Sequence, residues 1–120
     1  MVAVRILVTD VTAALGFYSG RLGFEVLEQW GDAFAMVERD GVTLWLSGPG
    51  TSAQRPFDDG TEPSPGGFNR IVVTVENLEA ALSSLGVKPR SEPISGPGGR
   101  QAVVEDGVGN LVELFEPGKN

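Results

Sequence analysis

Ile6-Leu7-Val8-Thr9-Asp10-Val11-Thr12-Ala13-Ala14-Leu15 and Val73-Thr74-Val75-Glu76-Asn77-Leu78-Glu79-Ala80-Ala81-Leu82 are one phrase written twice, 67 residues apart. Ile6, Val8, Asp10 and Ala13-Ala14-Leu15 fall on Val73, Val75, Asn77 and Ala80-Ala81-Leu82. Each copy reads the same way. A β-branched run forms a strand. A short polar side chain, Asp10 or Asn77, then caps a helix by accepting from its first free N–H groups. Later, Thr43-Leu44-Trp45-Leu46 falls on Leu111-Val112-Glu113-Leu114 at an offset of 68, so one insertion separates the two matches. A repeat at a fixed period points to a duplicated supersecondary unit.

Working outward, Val2 to Thr9 predicts the first strand. Val11, Ala14, Leu15, Tyr18 and Leu22 recur at helical spacing, and Gly23 supplies a stop. Strands are expected at Phe24 to Trp30, Ala33 to Arg39 and Val42 to Gly48, joined by Gly31-Asp32 and by Asp40-Gly41, a strong two-residue hairpin signal. Pro49 to Gly67 carries four of the eight prolines and reads as a loop between halves. In the second half Arg70 to Glu76 predicts a strand, and Leu78, Ala81, Leu82 and Leu85 a helix face ended by Gly86. Val87 to Pro93, Arg100 to Glu105 and Asn110 to Glu116 predict three more strands. One helix followed by antiparallel hairpins makes each half α+β, not doubly wound. The expected architecture is one domain over 1–120: module one 1–48, linker 49–67, module two 68–120. Two such βαβββ modules side by side would make a curved eight-stranded sheet around a cleft, with helices on the outer face.

Composition narrows the chemistry. The 120 residues include no cysteine and no histidine. Thiolate sites, disulfides and imidazole ligands or bases are therefore absent from the chain's repertoire. The formal net charge of -7 opposes a nucleic-acid phosphate backbone. No apolar run approaches a membrane span, and the N-terminus lacks a basic-then-apolar signal. These features predict no nucleic-acid partner, no membrane partner and a cytoplasmic setting.

Val8-Thr9-Asp10-Val11, leading to Phe17-Tyr18 and Arg21-Leu22-Gly23-Phe24, resembles the opening of the vicinal oxygen chelate superfamily. That superfamily includes glyoxalase I, extradiol dioxygenases, fosfomycin-resistance enzymes and bleomycin-resistance proteins. Glu105-Asp106-Gly107 through Gly109-Asn110-Leu111-Val112-Glu113-Leu114 is similar to its closing motif. Asp10 to Phe24 and Asp32 to Leu44 look most like the bleomycin-binding resistance proteins. The resemblance implies that four positions converge in the cleft, where the metalloenzymes hold an ion: here Ala3, Trp45, Arg70 and Glu113. Alanine, tryptophan and arginine are not ligands for a divalent cation, and one carboxylate falls far short of a coordination sphere. The expectation is a protein without metal or other cofactor.

Trp45 shares its strand face with Thr43 and Ser47, opposite Val42, Leu44 and Leu46, which directs it to the cleft. Phe34 matches an aromatic lining the drug groove of the bleomycin-binding proteins. Trp30, Phe57, Phe68 and Phe115 are further aromatic candidates. Where those proteins carry a second stacking aromatic, this chain has Gly98. Arg70 and Glu113 would either contact a ligand or pair with each other.

The leading expectation is a non-catalytic protein that sequesters a small aromatic natural product or antibiotic, as a resistance or carrier protein does. The alternative is a metal-independent enzyme, an isomerase or lyase using Glu113 and Arg70. A dimer with no ligand is a third possibility. The resemblance also implies a homodimer, since such folds commonly complete their clefts with a partner chain.

Overall fold

The computed structural model describes residues 1–118. The chain divides into two compact units. Unit 1 comprises Met1–Gly66 with Gly107–Asn110, and unit 2 comprises Gly67–Asp106 with the chain from Leu111 onward.

Unit 1 runs β1 (Ala3–Leu7), α1 (Val11–Tyr18), β2 (Glu25–Trp30), β3 (Phe34–Arg39) and β4 (Val42–Ser47). Its four strands lie in the order β1-β4-β3-β2, with β1 parallel to β4 and the other pairs antiparallel. Asp10 starts α1 as read: its carboxylate accepts from the Ala13 N–H at 3.0 Å. Ala35, Val37, Leu44 and Leu46 are fully buried, with Val11, Ala14, Phe17 and Tyr18 on the helix. Phe17, Tyr18 and Phe24 meet edge to face at 5.1 and 5.9 Å. Asp40 and Gly41 both take positive φ, 52° and 81°, the conformation a tight hairpin turn demands. The helix ends at Tyr18, short of the expected run to Leu22. The Arg21 and Leu22 N–H groups both turn back to the Phe17 carbonyl. Leu22 still reaches the core, from a turn and not from the helix.

Unit 2 repeats the scheme: β5 (Ile71–Thr74), α2 (Leu78–Leu85), β6 (Ile94–Gly96), β7 (Gly99–Glu105) and β8 (Leu111–Pro117). The order is β5-β8-β7-β6, again with one parallel pair, β5 and β8. Asn77 accepts from the Ala80 N–H at 2.8 Å, as Asp10 does 67 residues earlier. Gly86 closes α2 in the left-handed region at φ 68°. Glu116 on β8 also receives the Leu78 N–H at 2.8 Å, and Arg100 on β7 ties Glu116 to Glu79. Helix and sheet are thus joined by charge as well as by burial.

The fold is therefore α+β, built from two βαβββ modules, each with its own four-stranded mixed sheet. One strand is displaced from its expected place. Val87 to Pro93 forms no strand, and β6 follows it. Pro89 and Pro93 have no N–H to give a ladder. Arg90 bonds to the neighbouring strand there, donating its N–H to the Val103 carbonyl at 2.8 Å.

The 49–67 loop is anchored to unit 1. Gln54 donates to the carbonyls of Val8 and Ser47 at 3.1 and 3.0 Å. The Gly109-Asn110 pair of the closing motif also has a structural cause within unit 1. The Asn110 amide donates to the Leu7 carbonyl at 2.7 Å and accepts from the Gly66 N–H at 3.1 Å. A Cβ on Gly109 would lie 2.6 Å from Pro65 Cβ, at a φ of 106°, so only glycine fits.

Candidate functional site

In unit 1 the strand register places side chains in rows across the face opposite the Leu44–Leu46 core. Arg5, Trp45, Met36 and Glu28 form one row across β1, β4, β3 and β2. Leu7, Ser47, Phe34 and Trp30 form the next, and Ala3, Thr43, Glu38 and Glu25 the third. Thr43, Trp45 and Ser47 share this face, as the alternation predicts.

Three aromatic rings link across the strands of this face. The Phe34 and Trp45 rings meet edge to face, their centroids 6.0 Å apart at 80°. Trp30 and Phe34 lie 5.5 Å apart at 53°. Such pairs are worth about 0.5–1.5 kcal/mol each beyond the area they bury. Trp30, at the open end, is 64% exposed. A large indole in water beside two further rings is an apolar platform, the kind of surface that takes a partner or ligand.

Arg5 completes the face and was not among the residues the sequence singled out. Its guanidinium carbon sits 5.1 Å from the Trp45 ring centroid, and Nη1 donates to Ser47 Oγ at 3.0 Å. The signal was present in the strand alternation, since Arg5 lies two residues from Ala3 and so shares its face. The pairing with Trp45 needed the β1–β4 register. The Trp45 Nε1–H is buried and has no acceptor among the described residues. A buried donor left without an acceptor costs about 1–3 kcal/mol.

In unit 2, Arg70 and Glu113 pair with each other. Arg70 Nη2 and Nε approach the same Glu113 oxygen, Oε1, at 2.9 and 3.1 Å. Arg70 Nη1 donates to the Phe68 carbonyl at 3.0 Å. Glu113 is buried and Arg70 half-buried. Phe115, two residues along β8, shares the Glu113 face and lies opposite Gln101. A Cβ on Gly98 would be 3.6 Å from the Phe115 ring, an ordinary contact. Phe68 is 83% exposed, and Phe57 stands outward in a turn closed by its own N–H to the Thr61 carbonyl at 2.8 Å. The structure thus brings Trp45, Phe34 and Trp30 together, and Arg70 with Glu113. Phe57 touches none of these rings.

Two βαβββ units, each a mixed sheet backed by one helix, define the vicinal oxygen chelate class of α+β fold. The chain belongs to the Glyoxalase/Bleomycin resistance protein/Dioxygenase superfamily, whose family model matches residues 1–114. Among solved structures it is similar to TnmS3, an antibiotic binding protein from Streptomyces sp. CB03234, at 26% identity and a TM-score of 0.69, covering 98% of each chain. The bleomycin-binding protein of Streptomyces verticillus shares the fold at 20% identity and a TM-score of 0.61, over 98% of this chain and 95% of that one. So does a lactoylglutathione lyase from Agrobacterium tumefaciens, at 17% identity and a TM-score of 0.74, over 97% and 92%. No curated protein matches the chain in sequence.

The residues that the resemblance puts at the ion-holding positions of the superfamily's metalloenzymes do not suit an ion. Ala3 has no donor atom. Trp45 presents an N–H, which gives a proton and cannot ligate. Arg70 is a permanent cation, and it already occupies the one carboxylate, Glu113. Among the described residues no group of three or more Asp or Glu side chains is arranged to hold a metal.

Proposed function

We propose that this protein binds a planar aromatic small molecule of the natural-product or antibiotic class and sequesters it unchanged, as a resistance or carrier protein does. The observation that carries the reading is the aromatic platform Trp45–Phe34–Trp30 on one sheet face, with its outer indole in water. Flat ligands stack on such rings with large buried area. The 26% identical antibiotic binding protein supports the same reading. Phe57 belongs to the proposal as a further contact within unit 1, and Arg70, Glu113, Phe115 and Phe68 as candidate ligand contacts within unit 2. The site works without metal or other cofactor, since the side chains at the ion-holding positions cannot ligate one.

An enzymatic role for Glu113 as a general base is disfavoured by its partner. Both closest approaches of the Arg70 guanidinium fall on Glu113 Oε1, leaving that oxygen engaged. The protein also acts as a homodimer in this reading. Apolar side chains left in water on the edge strand β1 and just before it support this, with Met1 at 94%, Val2 at 91% and Val4 at 42%.

The test is incubation with a set of polycyclic aromatic antibiotics, followed by tryptophan emission and then mass spectrometry of the recovered ligand. Binding with the ligand returned at its original mass supports sequestration. Binding with conversion to a product would replace it by the enzymatic reading.

A further inference from the structure

Arg5 differs from the arginines of this fold that are held in ion pairs. Arg39, Arg70, Arg90 and Arg100 each have a carboxylate within 4 Å. Arg5 has none among the described residues, although it stands on the face that carries the aromatic platform. One of its nitrogens bonds to a neutral hydroxyl, Ser47 Oγ, and its guanidinium carbon sits over the Trp45 ring. A guanidinium offers five N–H donors, and most of those on Arg5 remain for an acceptor. The side chain is exposed, so a ligand meets it without a burial step.

The charges on this face are sorted. Arg5 lies on β1 at one edge of the sheet. Glu28 ends the same row on β2, and Glu25 and Glu38 lie on the neighbouring row. Three strand spacings separate the first and last positions of a row, about 14 Å. A flat molecule lying across the rings therefore meets a cation at one end and carboxylates at the other.

We propose that Arg5 sets the charge of the ligand: the face takes a planar aromatic molecule bearing an anionic oxygen group, carboxylate or phenolate, seated against the Arg5 guanidinium. This rests on the reading of the platform as a stacking surface. It adds the chemical class of the ligand and its orientation, with the anionic end toward β1 and away from Glu28. Charge-assisted hydrogen bonds to a planar guanidinium supply the selectivity.

The experiment compares three probes of one ring system by equilibrium dialysis at fixed ionic strength: 2-naphthoate, 2-naphthalenemethanol and 2-naphthylmethylammonium. The unsubstituted protein should hold the carboxylate roughly tenfold more tightly than the alcohol and the ammonium most weakly. Arg5→Gln should erase that preference, so that this variant holds carboxylate and alcohol within about twofold of each other, and Arg5→Lys should restore part of it. Alcohol binding equal to carboxylate binding, or a preference that persists in Arg5→Gln, would overturn the assignment to Arg5 and leave the stacking surface standing. No binding of any probe would overturn both.

Discussion

The guanidinium of Arg5 caps the indole of Trp45, with 5.1 Å between its carbon and the ring centroid. The two residues stand side by side because β1 and β4 pair in parallel with Arg5 opposite Trp45. An exposed cation over an indole contributes about 0.5–1 kcal/mol. Arg5→Gln should therefore lower stability by about that amount in urea unfolding. Its ligand-free tryptophan emission should also change, because a charge leaves the ring face. A variant with identical emission would mean that the cation does not rest on Trp45 in solution.

Asn110 holds two backbone groups that its removal would strand. Asn110→Ala should cost about 0.5–1.5 kcal/mol for each of the two hydrogen bonds lost, to the Leu7 carbonyl and from the Gly66 N–H. Gly109→Ala should be at least as damaging, since its Cβ would press on Pro65. Thermal unfolding of both variants checks this, and wild-type stability in either would show that the segment is not held as described.

These two residues also show what the sequence alone made visible. The caps Asp10 and Asn77, the Asp40-Gly41 turn and the alternation that separates Trp45 from Leu44 are local patterns, and each reads directly from the chain. Asn110 stood out only through its motif, because its partners Leu7 and Gly66 are distant in sequence. Arg5 escaped notice for the same reason: its role depends on which residue of β4 lies opposite, a matter of register. The strand expected at Val87 to Pro93 failed because apolar and charged residues there resemble an edge strand until the missing proline N–H groups are counted. The Arg70–Glu113 pair was one of two readings that residue type left open, and geometry gives the pairing.

The Glu79–Arg100–Glu116 cluster makes a pH-dependent contribution. The hydrogen bond from Arg100 holds the Glu79 carboxyl below its usual 4.5. A depressed acid contributes stability above its unfolded pKa and loses it as pH falls through the folded value. The melting temperature of Glu79→Gln should thus lie below that of the parent at neutral pH, with the gap narrowing below about pH 4.5. Glu79 is exposed and Arg100 only half-buried, so the gap should also shrink in high salt. A gap constant down to acid pH would assign the effect to something other than this charge.

Light scattering at micromolar concentration should return twice the chain mass. The exposed apolar residues Met1, Val2 and Val4 place the N-terminal edge among the surfaces that a partner would cover. Val4→Lys should then shift the population toward the monomer, and a monomer mass for the parent protein would remove the homodimer from the account.

The most direct test of the central claim is a fluorescence titration of the Trp30→Phe variant, in which Trp45 alone emits, with a polycyclic aromatic carboxylate. The account predicts saturable quenching of Trp45. It also predicts affinity weakened by about 1–3 kcal/mol when Trp45→Ala is added and binding is followed by calorimetry. Unchanged Trp45 emission at saturating ligand, or unchanged affinity without its indole, would contradict the claim that this face is where the ligand stacks.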